Sequence, residues 1–286
     1  MLLVRSLIRS RRWWLQLASR VAVSFGLLAS LPEFYLTLWP KAELPRGLIL
    51  YSIAIVSVIS SLSRSISRIS LSRHFEHPTV SIEIKIGDLF DEPHHLVIGF
   101  NDVFDTDSSD GVVISPLSVQ GQFQNRIYEN DTGQLNRDLG TALTGRPIVS
   151  RESSTDKPRG KLDRYEIGTV AVLGEPNRRF FCLAYGRMRN DLTVRSSADD
   201  LWKSLGRLWR SIDTFAQRKP VAIPIIGSEM ARINQLDREV LLRMILLSFM
   251  AQSRQDLVCE RLIILIHPKD AHLVNIAELR AFLNVL

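Results

Sequence analysis

The sequence predicts a layered α/β sandwich around a mixed sheet, preceded by two transmembrane helices. Three observations carry this reading. From residue 79 onward, short strand-like runs alternate with helix-length stretches, as in sheets covered by helices. Two largely apolar segments precede them. The positive charge sits beside those segments: the first 78 residues hold ten of the 36 Lys and Arg residues but three of the 30 Asp and Glu residues. The remainder carries 26 basic against 27 acidic side chains, so the net charge of +6 is not a property of the folded part. A nucleic-acid reader needs its positive charge on the folded domain, and that partner class is excluded.

The clearest apolar segment is residues 47–63, GLILYSIAIVSVISSLS, flanked by Arg46 and Arg64. Its 17 residues reach about 25 Å as a helix, the low end of a crossing. An earlier crossing falls within residues 13–39, starting either near Trp13 or at Val21; one registration includes Arg20 and the other Glu33. Arg5, Arg9, Arg11, Arg12 and Arg20 lie before the pair, and Arg64, Arg68 and Arg73 after it. The positive-inside rule then gives a hairpin with both ends cytoplasmic. Residues 61–75 read as a basic amphipathic stalk, so residues 1–75 form a membrane unit and residues 76–286 a soluble domain.

In the soluble domain, residues 79–86 (TVSIEIKI) alternate as a half-buried strand. Further strands are expected at 96–100, 111–115, 167–173, 179–185, 221–226 and 261–267. Helices are expected at 134–143, 198–217, 236–254 and 270–283. In the second of these, Leu201, Leu205, Leu208, Ile212 and Phe215 form a core stripe, with Trp202 and Trp209 packed beside it. Residues 149–163 are polar and turn-rich and read as an exposed excursion. Cys182 and Cys259 lie in apolar runs and read as buried thiols, with no metal-ligand spacing. His94 and His95 read as a solvated turn.

Three strand-end loops can carry chemistry, because open α/β sheets place ligands there. In the first, Gly87-Asp88-Leu89, an Asp after a tight turn can accept hydrogen bonds from a base or cap the turn. In the second, Asn101, Asp102 and Asp105 crowd the end of an apolar strand, followed by Gln120, Gly121 and Gln122. Amides suit ribose hydroxyls, and Gly lets backbone N–H groups approach a phosphate; the aspartates could equally cap local turns. In the third, residues 221–233, an apolar strand enters a turn at Gly227 and Ser228, then Glu229, Met230 and Arg232. Such a loop can aim N–H groups at a diphosphate. It lacks the Gly-Lys-Ser/Thr of a P-loop, so triphosphate hydrolysis has no support.

Together these loops resemble the macro domain, the ADP-ribose-binding fold, which implies a three-layer macro-like sandwich over residues 76–286. By that likeness Asp88 and Leu89 take the adenine, Asn101 and its neighbours the ribose, and residues 221–233 the phosphates. Glu229 departs from the pattern, standing where a second small residue is expected. With the N-terminal hairpin, the chain resembles the transmembrane macro effectors of bacterial Thoeris antiphage defence, which implies a bacterial inner-membrane location. The resemblance implies sensing of an ADP-ribose-derived, amino-acid-linked nucleotide made by a TIR-domain partner, followed by self-association and membrane disruption. It implies no cofactor and no catalysis. The alternatives are a membrane-anchored mono-ADP-ribosyl hydrolase, with Asp102 and Asp105 activating water, or a passive ADP-ribose-binding tether.

Overall fold

In a computed structural model of the chain, which describes residues 21–23, 26, 29–30, 51–58, 70–227 and 236–286, two units separate at Ile69/Ser70. The second unit opens with a hairpin, β1 (Ser70–Glu76) against β2 (Thr79–Ile86), whose alternating burial matches the period of two in TVSIEIKI. The expected helical stalk is therefore corrected over residues 70–75. Leu71 and Phe75, four apart, serve a helix stripe or one face of a strand, and pairing with β2 decides for the strand.

The remaining strands are β3 (His95–Asn101), β4 (Ile148–Arg151), β5 (Asp163–Tyr165), β6 (Val170–Glu175), β7 (Arg178–Met188), β8 (Val194–Arg195), β9 (Val221–Pro224) and β10 (Arg261–Ile266). The main sheet runs β1-β2-β10-β9-β3-β7-β6, with β8 on β7. Every pairing from β2 through β7 is parallel, and the outer pairings are antiparallel. The carboxyl ends of β2, β10, β9 and β3 thus share one edge of the sheet.

Helices cover both faces. On one side lie α1 (Val119–Tyr128) and α2 (Thr132–Leu143), whose Phe123, Leu135 and Leu139 pack on Leu96, Ile98 and Cys182. On the other lie α3 (Ala198–Phe215), α4 (Arg238–Ser253) and α5 (Ile276–Val285), packed on Val97, Phe181, Ile223 and Ile264. The stripe of α3 buries Leu201, Leu205, Leu208 and Ile212, each contributing about 1.5–3 kcal/mol. Ser197 caps the helix by accepting from the Asp200 N–H at 3.0 Å. Trp209 is fully buried and donates to Ser248 Oγ at 3.0 Å. Trp202 corrects the sequence reading: one residue past Leu201 it turns about 100° off the stripe and is 47% exposed. The three-layer macro-like sandwich stands.

The two transmembrane helices do not. Among the described residues no helix is long and apolar enough to cross a membrane. The described helical stretch 51–58 rises about 12 Å against a hydrocarbon core of about 30 Å. Of the earlier crossing only residues 21–23, 26 and 29–30 are described, all helical; the rest of both crossings lies outside the described residues. The inner-membrane location rested on those crossings and falls with them.

Three further expectations change. Residues 111–114 are bends rather than a strand, anchored by Val113 and Ile114 packing with Val103 and Met188. Residues 270–283 divide into a 3-10 turn, Pro268–Leu273, and α5, because Asn275 caps α5 by accepting from the Ala277 and Glu278 N–H groups. The excursion pairs its ends as β4 and β5 and buries Lys157 completely. Cys182 and Cys259 are free and buried, and burial pushes both thiols up.

Candidate functional site

A cleft of about 580 Å³, open to solvent, lies at the carboxyl ends of the parallel strands. Its floor and walls are largely apolar: Pro224, Ile225 and Ile226 after β9, Leu265 at the end of β10, and the Tyr185 ring from β7. Gly99 on β3 makes the Tyr185 wall fit, since a Cβ there would sit 2.6 Å from that ring. Gly227 also lines the cleft and turns the chain at φ +93°, in the left-handed region that favours glycine.

The polar side of the cleft comes from the start of α1. Ser118 is its N-cap: the hydroxyl oxygen accepts from the Gly121 N–H at 3.0 Å and its own O–H goes to Ser115 O at 2.7 Å. Gly121 is required there, because a Cβ would meet Ser115 O at 2.3 Å. The cap leaves the first-turn N–H groups of Val119 and Gln120 without helical partners, and both residues line the cleft. A helix start of this kind favours an anion. Gln120, Gly121 and Gln122, expected beside the strand-end loop, form the first turn of this capped helix.

His267 and Asp270 complete the lining. Nδ1 of His267 accepts from the Lys269 N–H at 3.3 Å, so in the neutral ring Nε2 carries the proton. Asp270 pairs with Arg238 at 3.0 Å.

The amide and the two carboxylates expected at the ribose are bonded to the protein's own groups. Asn101 is buried; its Oδ1 accepts from the Val103 and Asp105 N–H groups at 3.2 and 3.0 Å, which closes the loop on itself. Asp102 accepts two bonds from Arg164, at 2.7 and 3.0 Å, and one from the Met188 N–H at 2.8 Å. Asp105 is fully buried, with Lys157 Nζ at 3.1 and 3.3 Å from its two oxygens and the Lys161 N–H donating to Oδ1. Asp102 and Asp105 thus hold the excursion, through Arg164, Lys157 and the Lys161 N–H, against the loop. Burial pushes the Lys161 amine down to about 8, with Asp105 opposing the shift.

Asp88 caps the 3-10 turn Leu89–Asp91 by accepting from the Phe90 N–H at 2.9 Å, and pairs with Arg126 at 2.8 Å. Leu89 is buried in the core between sheet and α1. Neither residue lines the cleft. Gln120 does line it; its Nε2 donates to Asp105 O at 2.6 Å, while Oε1 is buried without a partner. Gln122 faces a separate polar cleft with Asn125 and Asn136. Ser228, Glu229, Met230 and Arg232 lie outside the described residues. His95 corrects the solvated-turn reading: it is buried in β3, accepts from the Arg179 N–H at 2.9 Å, contacts Ala216 O at 3.2 Å, and has a pKa lowered by burial. Tyr185, His267, Asp270 and Ser118 were missed. The signal was present for His267, the residue that ends an apolar strand-like run before a proline.

Strand order, two helical layers and a cleft at the parallel strand ends define a macro-domain protein. The chain belongs to the family described as Thoeris protein ThsA, Macro domain, whose model matches residues 82–267. It is 26% identical over 278 residues to Thoeris protein ThsA of Bacillus amyloliquefaciens (strain Y2), an alignment covering 95% of this chain and 89% of that protein. It is also similar to the solved structure of a macrodomain mutant from Oceanobacillus iheyensis. That likeness has a TM-score of 0.50 and 13% identity over 76% of this chain and 94% of the other, and speaks to the fold alone.

Proposed function

We propose that the macro domain binds an ADP-ribose-derived nucleotide in the strand-end cleft, and that the protein acts by holding this ligand rather than hydrolysing it. The carrying observation is that the capped start of α1 and the Gly227 turn line the same apolar-walled cleft. The first suits a phosphate and the apolar walls suit a base. Membership of the ThsA macro family supports the ligand class. Supply of the nucleotide by a TIR-domain partner is proposed with it, on the family likeness. Membrane disruption is withdrawn together with the transmembrane helices on which it rested.

The engagement of Asp102 and Asp105 favours binding over hydrolysis. A general base must reach the water it activates, and these carboxylates are already held by Arg164, Lys157 and backbone N–H groups. Calorimetric titration of the full chain with ADP-ribose and with amino-acid-linked ADP-ribose, followed by product analysis, tests the reading. Saturable binding with intact ligand is the expected outcome; absence of binding to both refutes it, and turnover transfers the protein to the hydrolases.

A further inference from the structure

A second groove, of about 990 Å³ with its open mouth, lies away from the nucleotide cleft, beside β6 at the lateral end of the main sheet. Val170, the first residue of β6, lines it, so the groove opens onto the start of the sheet's edge strand. An edge strand presents a free row of N–H and C=O groups, which proteins commonly shield with Lys, Pro or a bulge. The sequence of β6, VAVLGE, contains no Lys or Pro, and its pairing with β7 runs in unbroken register.

The groove is basic, although the domain as a whole is nearly neutral. Arg207 is held in place: it pairs with Glu166 at 2.7 Å, donates to Ile167 O at 3.2 Å, and lies against Gly168, where a Cβ would come within 2.5 Å of its Cδ. Glu166 also takes Lys203 at 2.8 Å, so this acid is shared between two cations. Arg146 and Arg210 line the same groove and have no acidic partner among the described residues. The Oγ of Ser211, which also lines the groove, is buried without a partner.

The two free arginines come from opposite layers. Arg210 belongs to α3, and Arg146 follows α2, which packs on the other face of the sheet. Side chains of a strand added to β6 would alternate between these two layers. A lone small anion could use the guanidinium groups but would leave the strand edge unpaired. An extended chain with acidic side chains on both faces satisfies both features, through main-chain bonds to β6 and carboxylates on the arginines. We propose that this groove docks an acidic, extended peptide segment of a partner protein as an additional strand on β6.

The test uses the full chain and a blocked, fluorescent octapeptide of glutamate and valine, followed by anisotropy at low salt. Micromolar binding is expected, weakened at least tenfold by Arg146→Glu with Arg210→Glu and by replacing glutamate with glutamine. Both arginines are exposed, and an unchanged melting curve confirms that the double variant folds. N-methylation of alternate peptide nitrogens separates strand addition from charge attraction, since it removes main-chain donors and leaves every carboxylate. Expected is a further tenfold loss with one methylation phase and little change with the other. Binding indifferent to both methylation patterns overturns the proposal in favour of a simple anion site. Absence of peptide binding at millimolar concentration overturns it outright. Self-association of the chain that the peptide fails to displace assigns the edge to a second copy and also overturns it.

Discussion

Replacing Lys157 by Met removes the ammonium from a carboxylate that has no access to water. Both side chains of the Lys157–Asp105 pair are fully buried, with Nζ 3.1 Å from the nearer oxygen. The variant leaves Asp105 with the Lys161 N–H and a long contact of 3.4 Å to Asn101 Nδ2. Breaking one partner of a buried pair costs about 3–5 kcal/mol, and the surviving hydrogen bonds set this case near the lower limit, about 3 kcal/mol. For a domain of this size that corresponds to a fall of about 6–12 °C in melting temperature. Urea unfolding of the full chain, followed by tryptophan fluorescence, measures it directly. Adding Asp105→Asn removes the stranded charge, so the double variant should lose clearly less than the sum of the two singles. A loss under about 1 kcal/mol for Lys157→Met alone would show that water reaches the pair, and would refute the claim that the excursion locks the loop.

Gly227→Val forces a branched side chain to φ +93°, at a cost of about 1–2 kcal/mol in an L-residue, and should lower ADP-ribose affinity more than tenfold by calorimetry; unchanged affinity removes that turn from the site. Gly99→Ala places a methyl 2.6 Å from the Tyr185 ring, so the cleft wall shifts and affinity should fall by about tenfold, or about 1.4 kcal/mol, with little change in unfolding slope. The Ser109 hydroxyl and the Arg159 guanidinium hold the Asp107 carboxyl at about 2, below its ordinary value. A depressed pKa stabilises the fold above the unfolded value near 4 and is lost as pH falls through about 2. The urea midpoints of wild type and Asp107→Asn should therefore draw together between pH 4 and pH 2, and a gap at pH 2 as wide as at pH 6 contradicts this.

Local pattern was enough for most of the sandwich. The period of two in residues 79–86 and the stripe of α3 each bury one face, and the continuous apolar runs at β7, β9 and β10 are buried on both. The turn at Gly227 was also legible, because a glycine ending an apolar strand has few other uses. The start of α1 was not: SVQGQF places a glycine in a helix, and the helix is decided by Phe123 packing on the sheet, a contact remote from the local pattern.

The loop after β3 shows the division most clearly. Its sequence determined that an amide and two carboxylates gather at a strand end, and such groups must find hydrogen-bond partners wherever they are buried. It could not determine whether those partners are a ligand or the protein. Lys157 and Arg164 stand 52 and 62 positions away in sequence, and the β4–β5 excursion brings both onto the loop. The N-terminal segment marks the same limit. Apolar composition and flanking arginines are equally compatible with a bilayer and with burial in protein, because both environments exclude water. The nucleotide cleft itself, with Tyr185, His267 and the capped end of α1, arises only where the parallel pairing sets four strand ends side by side.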